Sequence, residues 1–269
     1  MEKLSSENIC ELLSDAVCVV TVTEDSEVLS QGSGFVISEE GQVVTAAHVI
    51  TGRLPIKSED IDADGTLLTC QFRDTPPIEY KVRLCGIQLR VKGFKENVLI
   101  DLAIMEPCVL PETPFKPLAR RRDGPKLGQN LYMAGFSDEV ELPFKLDTLL
   151  DPAQPSAAQF LYHVRRGYQA VMQQLMCKSA MVGNNLEIFA TAGSQEINGN
   201  VFYLDKAMHK GASGGPVVDE SGAVVGVITH RAVTSAYRDV ERIEVPSGSA
   251  LAVSLEPLNA IDTNQYFTA

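Results

Sequence analysis

The chain has 269 residues, 45% of them hydrophobic and 22% charged, with a formal net charge of −12 and an isoelectric point near 4.8. That is the composition of a soluble globular protein with a sizeable core. Its acidity argues against nucleic acid or anionic lipid as the main partner, because phosphate binding needs a basic face, and no apolar run reaches the length of a membrane span.

The N-terminus, MEKLSSENICELLSDA, lacks the basic-then-apolar build of a secretory leader. It predicts a short helix over 4–14, capped by Ser5 or Ser6, with Leu4, Ile9, Leu12 and Leu13 on one side. From residue 17 onward the pattern is one of strands. CVVTV at 18–22, GFVIS at 34–38 and QVVTAA at 42–47 are rich in β-branched residues and separated by glycine and acidic turns. Glu39-Glu40-Gly41 joins two of them. Further strands are predicted near 67–72, 79–91 and 98–106. Pro107, Pro111, Pro114, Pro117 and the arginine run 120–122 then mark a crossing linker, with the arginines read as a solvated face.

The second half predicts strands near 130–136, 186–192, 200–205, 215–219, 223–230 and 250–255. Asn198-Gly199 reads as a hairpin turn, and Asp219-Glu220-Ser221-Gly222 as another. One segment breaks the pattern. In 156–178, Phe160, Val164, Tyr168, Val171 and Leu175 recur at helical spacing, and Pro152 and Pro155 suit a helix start. Many short strands with turns between them suggest a sandwich or barrel.

Three stretches carry chemistry. VVTAAHVI at 43–50 sets His48 after an apolar run, VLIDLAIM at 98–105 holds a lone carboxylate, Asp101, and GASGGP at 211–216 surrounds Ser213 with glycines. Each has a bland reading: a core histidine, a strand-edge aspartate, a loop. Together they supply a nucleophile, a base and an orienting acid in the chain order His, Asp, Ser. Glycines around a nucleophile allow a tight turn and close approach of substrate to backbone N–H groups. The six cysteines, Cys10, Cys18, Cys70, Cys85, Cys108 and Cys177, are irregularly spaced with no C-x-x-C pair, so no zinc site is expected. Free thiols and a cytoplasmic setting are expected. His163 and His209 read as surface residues, and no cofactor or metal is expected.

The chain resembles trypsin-like serine proteases of the chymotrypsin fold, closest to the HtrA/Deg type. The resemblance rests on GSGFVIS at 32–38, TAAH at 45–48, DLAIM at 101–105, DKAMHKGASGGPVV at 205–218, GVITH at 226–230 and SALAVS at 249–254. It implies an all-β fold of two Greek-key barrels, 1–118 carrying His48 and Asp101 and 119–269 carrying Ser213. An N-terminal helix and a helical insertion near 153–180 are added to it. It implies an endopeptidase acting through His48, Asp101 and Ser213, with the N–H groups of Gly211 and Ser213 as the oxyanion hole. The substrate pocket would be Ala207, Met208, Thr229, His230 and Arg231, favouring small or medium apolar P1 side chains. Ala212 replaces the aspartate that pancreatic-type relatives pair with a cut N-terminus, and no segment for an appended PDZ domain is expected. The expected partner is a protein or peptide substrate, with a regulatory protein possible at the insertion. Two alternatives stay open: a latent protease released by a partner or a cut, and a dead binding module on the same fold.

Overall fold

The computed structural model describes residues 3–25, 27–53, 66–91, 93–110, 112–137, 151, 153–158, 175–192, 195–238 and 241–259. Helix α1 (Ser6–Ala16) begins at Ser5, whose hydroxyl accepts the Asn8 N–H at 3.2 Å, and it buries Ile9, Leu13 and Ala16. Fully burying a side chain the size of Ile or Leu contributes about 1.5–3 kcal/mol. The helix runs directly into β1 (Val17–Glu24). β2 (Glu27–Val36) and β3 (Val43–Thr45) follow. A five-residue helix, α2 (Ala47–Thr51), then carries His48 and ends on Gly52 in the left-handed region at φ 70°. β4 (Thr66–Gln71), β5 (Ile78–Val91) and β6 (Val98–Pro107) complete the first half.

The second half holds β7 (Asn130–Gly135), β8 (Met176–Ala192), β9 (Gln195–Leu204), β10 (Pro216–Val218), β11 (Val224–Arg238) and β12 (Glu241–Ser254), then a 3-10 turn, Glu256–Asn259. The strands pair in the order β4-β1-β2-β3-β6-β5-β8-β7-β10-β11-β12-β9. The added pairings β4–β5 and β8–β9 close this run into two six-stranded barrels. This is the expected all-β architecture. The barrels meet where Arg90 and Val91 of β5 pair with Thr191 and Ala190 of β8. Phe35, Leu102 and Met105 fill one core, and Met133, Phe202 and Leu204 another, all fully buried.

Several local expectations change. The stripe expected to be helical over 156–178 ends differently, because Met176–Lys178 already belong to β8 and pair with Gly135, Ala134 and Met133. Cross-strand pairing overrides the helical period there. Residues 155–158 form a helical turn; Phe160, Val164, Tyr168 and Val171 lie outside the described residues. Asn198-Gly199 is not a turn. It sits inside β9 opposite Phe189 and Ile188, and the β8–β9 pairing runs on to Ala192 and Gln195. Gly199 serves close packing instead, since a β-carbon there would stand 3.2 Å from Pro257.

The arginine run is not a free solvated face. Arg121 N–H donates to Val224 O at 2.9 Å, and Val224 N–H donates to Ala119 O at 2.7 Å. The Arg121 guanidinium reaches Asp219 at 3.2 Å. Asp219 Oδ1 also accepts from the Ser221 N–H (2.8 Å), the Ser221 hydroxyl (2.6 Å) and the Ala223 N–H (3.2 Å). This closes the expected turn at 219–222, on which α1 is anchored by Leu4 N–H to Glu220 O at 2.8 Å. Burial alone would lift the Asp219 carboxyl, but the donors from Ser221, Ala223 and Arg121 hold it below the ordinary carboxylate range. Its contribution to stability is therefore present above the unfolded value, near 4, and is lost as pH falls through the lower folded value. Asp219→Asn should cost about 1–3 kcal/mol at neutral pH, and its difference from the parent should shrink in acid. Urea midpoints measured across pH check this; a difference that stays constant into acid would remove the carboxylate from that role.

Candidate active site

β3 ends at Thr45, and the chain turns through Ala46 into α2, which delivers His48 to the junction of the barrels. β6 supplies Asp101 from an otherwise apolar strand. Asp101 Oδ1 accepts the His48 backbone N–H at 2.9 Å, and Asp101 Oδ2 lies 2.7 Å from His48 Nδ1. Gripping both the main chain and the ring fixes the imidazole's orientation. With Nδ1 turned to the carboxylate, Nε2 is the nitrogen left for proton transfer. The two side chains are 17% and 12% exposed, enough shielding from water to strengthen the pair.

Ser213 comes from the loop before β10, and this loop is sewn to the first barrel. Ser33 of β2 is fully buried and makes three bonds there. Its N–H donates to Ser213 O at 2.8 Å, its hydroxyl donates to Gly211 O at 2.9 Å, and the same hydroxyl oxygen accepts the Phe136 N–H at 2.9 Å. Ser33 O in turn accepts from the Thr45 hydroxyl at 2.7 Å. Thus Ser33 and Thr45 tie the loop of Ser213 to the strand that leads into His48. Gly211 takes φ 89°, where a side chain would be strained. The Ala212 carbonyl is held inside the loop by the Gly215 N–H at 3.0 Å. A trans peptide is planar, so the Ser213 N–H of that same peptide faces the opposite way.

The Ser213 hydroxyl donates to Thr229 O of β11 at 2.9 Å. Beside it lies a cavity of about 140 Å³ lined by Met208, His209, Lys210, Ser213, Ile228, His230, Arg231 and Ala250. Met208, His230 and Arg231 were expected in this lining. Ala207 and Thr229 lie off it. The Ala207 carbonyl accepts from Lys178 Nζ at 2.9 Å. Thr229 is buried, with its hydroxyl on Leu251 O at 3.2 Å. Sequence reasoning missed Ile228 and Ala250, which need the β11–β12 register to find, and also His209 and Lys210. Those two stand immediately before Gly211, and His209, expected at the surface, is half-buried in the lining. It also missed Ser33, although the residue sits in a stretch that carried the resemblance. His163 lies outside the described residues.

Burial pulls the His230 imidazole below its ordinary value, against the opposite pull of Asp101 and with that of His48. Those couplings put His230 within electrostatic reach of the pair. Among the described residues, no group of three or more His, Cys, Asp or Glu side chains could hold a metal ion. Among them, too, no helix is long and apolar enough to cross a membrane.

Residues 32–227 match the family model of the trypsin-like peptidase domain. Serine protease HTRA1 of Xenopus tropicalis is 25% identical over 200 residues, covering 74% of this chain and 31% of that protein. The same protein of Xenopus laevis is likewise 25% identical over 200 residues. The chain therefore spans about a third of the length of the curated relatives it matches. Among solved structures, the active form of the Rv3671c protease from M. tuberculosis superposes with a TM-score of 0.53 at 16% identity, covering 94% of this chain and 81% of that one. The inactive form of Rv3671c gives 0.52 at 17% identity, covering 94% and 89%. At that identity the likeness speaks for the fold.

Proposed function

The chain belongs to the trypsin-like peptidase domain family, and from that premise we propose that it is a serine endopeptidase working through His48, Asp101 and Ser213. The observation that carries the reading is the double grip of Asp101 on His48, at 2.9 and 2.7 Å, with the loop of Ser213 tied by Ser33 to the same strand end. A histidine held at both its backbone and Nδ1 is an oriented general base. In the reaction the Ser213 hydroxyl leaves Thr229 O, turns to His48 Nε2 and gives up its proton as Oγ attacks the substrate carbonyl. The tetrahedral oxyanion is met by the N–H groups of Gly211 and Ser213. Collapse breaks the peptide bond, and His48 passes the proton to the leaving amine. Water, deprotonated by the same ring, then releases the acyl group. Asp101 stays ionised and stabilises the imidazolium.

The inner wall of the cavity, Met208, Ile228 and Ala250, is apolar. It supports a P1 side chain of small or medium apolar type, with each methylene worth only about 1–3 kcal/mol of discrimination. None of the six cysteines forms a disulfide, which fits a reducing, cytoplasmic setting.

A second reading has an observation of its own. Because the Ser213 hydroxyl is bonded to Thr229 O, the enzyme would be latent until a partner or a cut shifts that bond, with the segment around 153–180 as the place for a regulator. A fluorophosphonate probe on purified protein tests both readings. Labelling of Ser213 at once is expected for a resident endopeptidase, and labelling only after a partner or a cut for a latent one. No labelling under either condition would leave a binding module and end the endopeptidase reading.

A further inference from the structure

Helix α1 packs on the side of β7 and β8 that faces away from the second core. The Ser6 hydroxyl is 2.8 Å from the Tyr132 hydroxyl, and Cys10 stands one turn further along the same face of α1. On β7, Ala134 lies two residues beyond Tyr132 and so projects to the same side. Its partner across the strands is Cys177 of β8. Four helical residues rise about 6 Å and two strand residues span about 7 Å, so the two steps match. Packing agrees with this placement. Tyr132, Ala134 and Cys177 share one apolar cluster with Ile9 and Leu13 of α1, whereas Leu131 and Met133, on the other side of β7, fill the second core. The thiols of Cys10 and Cys177 are hydrogen-bonded to each other, and both residues are half-buried.

Cys18 and Cys70 are also in contact, but both are fully buried, out of reach of an oxidant dissolved in water. The Cys10–Cys177 contact lies partly in solvent. Burial, and after it the closeness of Cys10, pushes the Cys177 thiol up to about 12. It is therefore protonated at neutral pH, and the pair stays as two thiols until oxidant is sustained.

We propose that Cys10 and Cys177 are a redox-active dithiol, which an oxidant of the peroxide class closes to a disulfide between α1 and β8. One sulfur takes an oxygen atom from hydrogen peroxide and becomes a sulfenic acid, releasing water. The other sulfur attacks it. The S–S bond forms as the S–O bond breaks, and the second thiol's proton leaves with the hydroxide as another water. The two sulfurs give up two electrons and peroxide takes them. A dithiol reductant reverses the step. Because α1 runs straight into β1, the bond ties the first barrel to a strand of the second. His48 and Asp101 lie in the chain between the two cysteines, so the cross-link closes a long loop and constrains the unfolded chain.

The test treats the whole reduced protein with hydrogen peroxide and then removes the oxidant. Thiols titrated in denaturant should fall from six to four. A non-reducing peptide map should join the peptide of Cys10 to that of Cys177. The melting temperature should rise by roughly 5 °C, and dithiothreitol should return all three readings to their starting values. Cys10→Ser and Cys177→Ser should each abolish the thiol loss and the rise in melting temperature. Where a serine variant fails to fold, the map of the parent protein decides. Six thiols remaining after treatment, or a map that joins Cys18 to Cys70 instead, would overturn the proposal. So would a Cys10–Cys177 link that leaves the melting temperature unchanged, because the bond would then not be holding the two barrels together.

Discussion

Ser213→Ala should lower peptide hydrolysis by a factor on the order of 10⁶ and leave the fold unchanged. The size of the loss follows from the role proposed for the hydroxyl, that of the nucleophile activated by His48. The fold should survive because the hydroxyl makes one hydrogen bond, to Thr229 O at 2.9 Å, and losing one such bond costs about 1 kcal/mol. The loop is held by main-chain groups that Ala keeps. Ser33 N–H still reaches the carbonyl of residue 213, and the Gly214 N–H still reaches Ile228 O at 2.7 Å. His48→Ala should cost about as much as the serine change, since the two act as one unit. Asp101→Asn should cost about 10⁴, because the amide would favour the wrong tautomer of the ring. Turnover, probe labelling and thermal melting measured on the same preparations separate loss of chemistry from loss of fold. Normal turnover by folded Ser213→Ala protein would end the serine mechanism for this chain.

Some of this was legible in the sequence and some was not, for physical reasons. His48 and Asp101 stood out because a polar residue inside an apolar run must have a partner, and each is the other's. Ser213 stood out because glycines around a hydroxyl allow a tight turn and close approach of substrate to backbone N–H groups. The β-rich halves were legible through their short alternating runs and turn residues. Strand ends were not. β11 and β12 run on to Arg238 and from Glu241 as a paired ribbon, through residues such as Arg231 and Ser235 that carry no apolar alternation. Pairing with a neighbour, not side-chain pattern, decides such extensions. Asn198-Gly199 misled for the same reason, since the register with β8 overrides the local turn preference. The shared cavity lining of Lys210 and Arg231 was hidden because they are 21 positions apart and come together only when β11 passes the loop of Ser213. Ser33 was hidden because nothing in its neighbours tells which strand-borne serine will reach a loop 178 positions away.

The junction between the barrels can be tested through one hydrogen atom. Gly214 follows Ser213 at φ 85°, and a β-carbon built on it would lie 2.0 Å from Ser33 O, 2.2 Å from Thr45 Oγ1 and 3.0 Å from Ala46 N. Two of these three atoms are backbone, so no flexible side chain can swing aside to make room. Gly214→Ala therefore combines a left-handed conformation, costing about 1–2 kcal/mol, with overpacking at a buried contact, costing about 1–3 kcal/mol or more. The melting temperature should fall by roughly 10 °C for a chain of this size. The chemistry should suffer further, because relief of the clash must move Ser33 or Thr45, the residues that join the loop of Ser213 to the strand end before His48. Gly93→Ala provides the comparison. Its φ is 91°, yet a β-carbon there meets nothing within 4 Å, so it carries the conformational cost alone. Gly214→Ala should be the less stable by at least about 1 kcal/mol and should lose probe labelling at Ser213, while Gly93→Ala keeps it. Equal stability of the two variants, with labelling intact in both, would mean that the barrels do not meet through Ser33 and Thr45 as closely as these distances require.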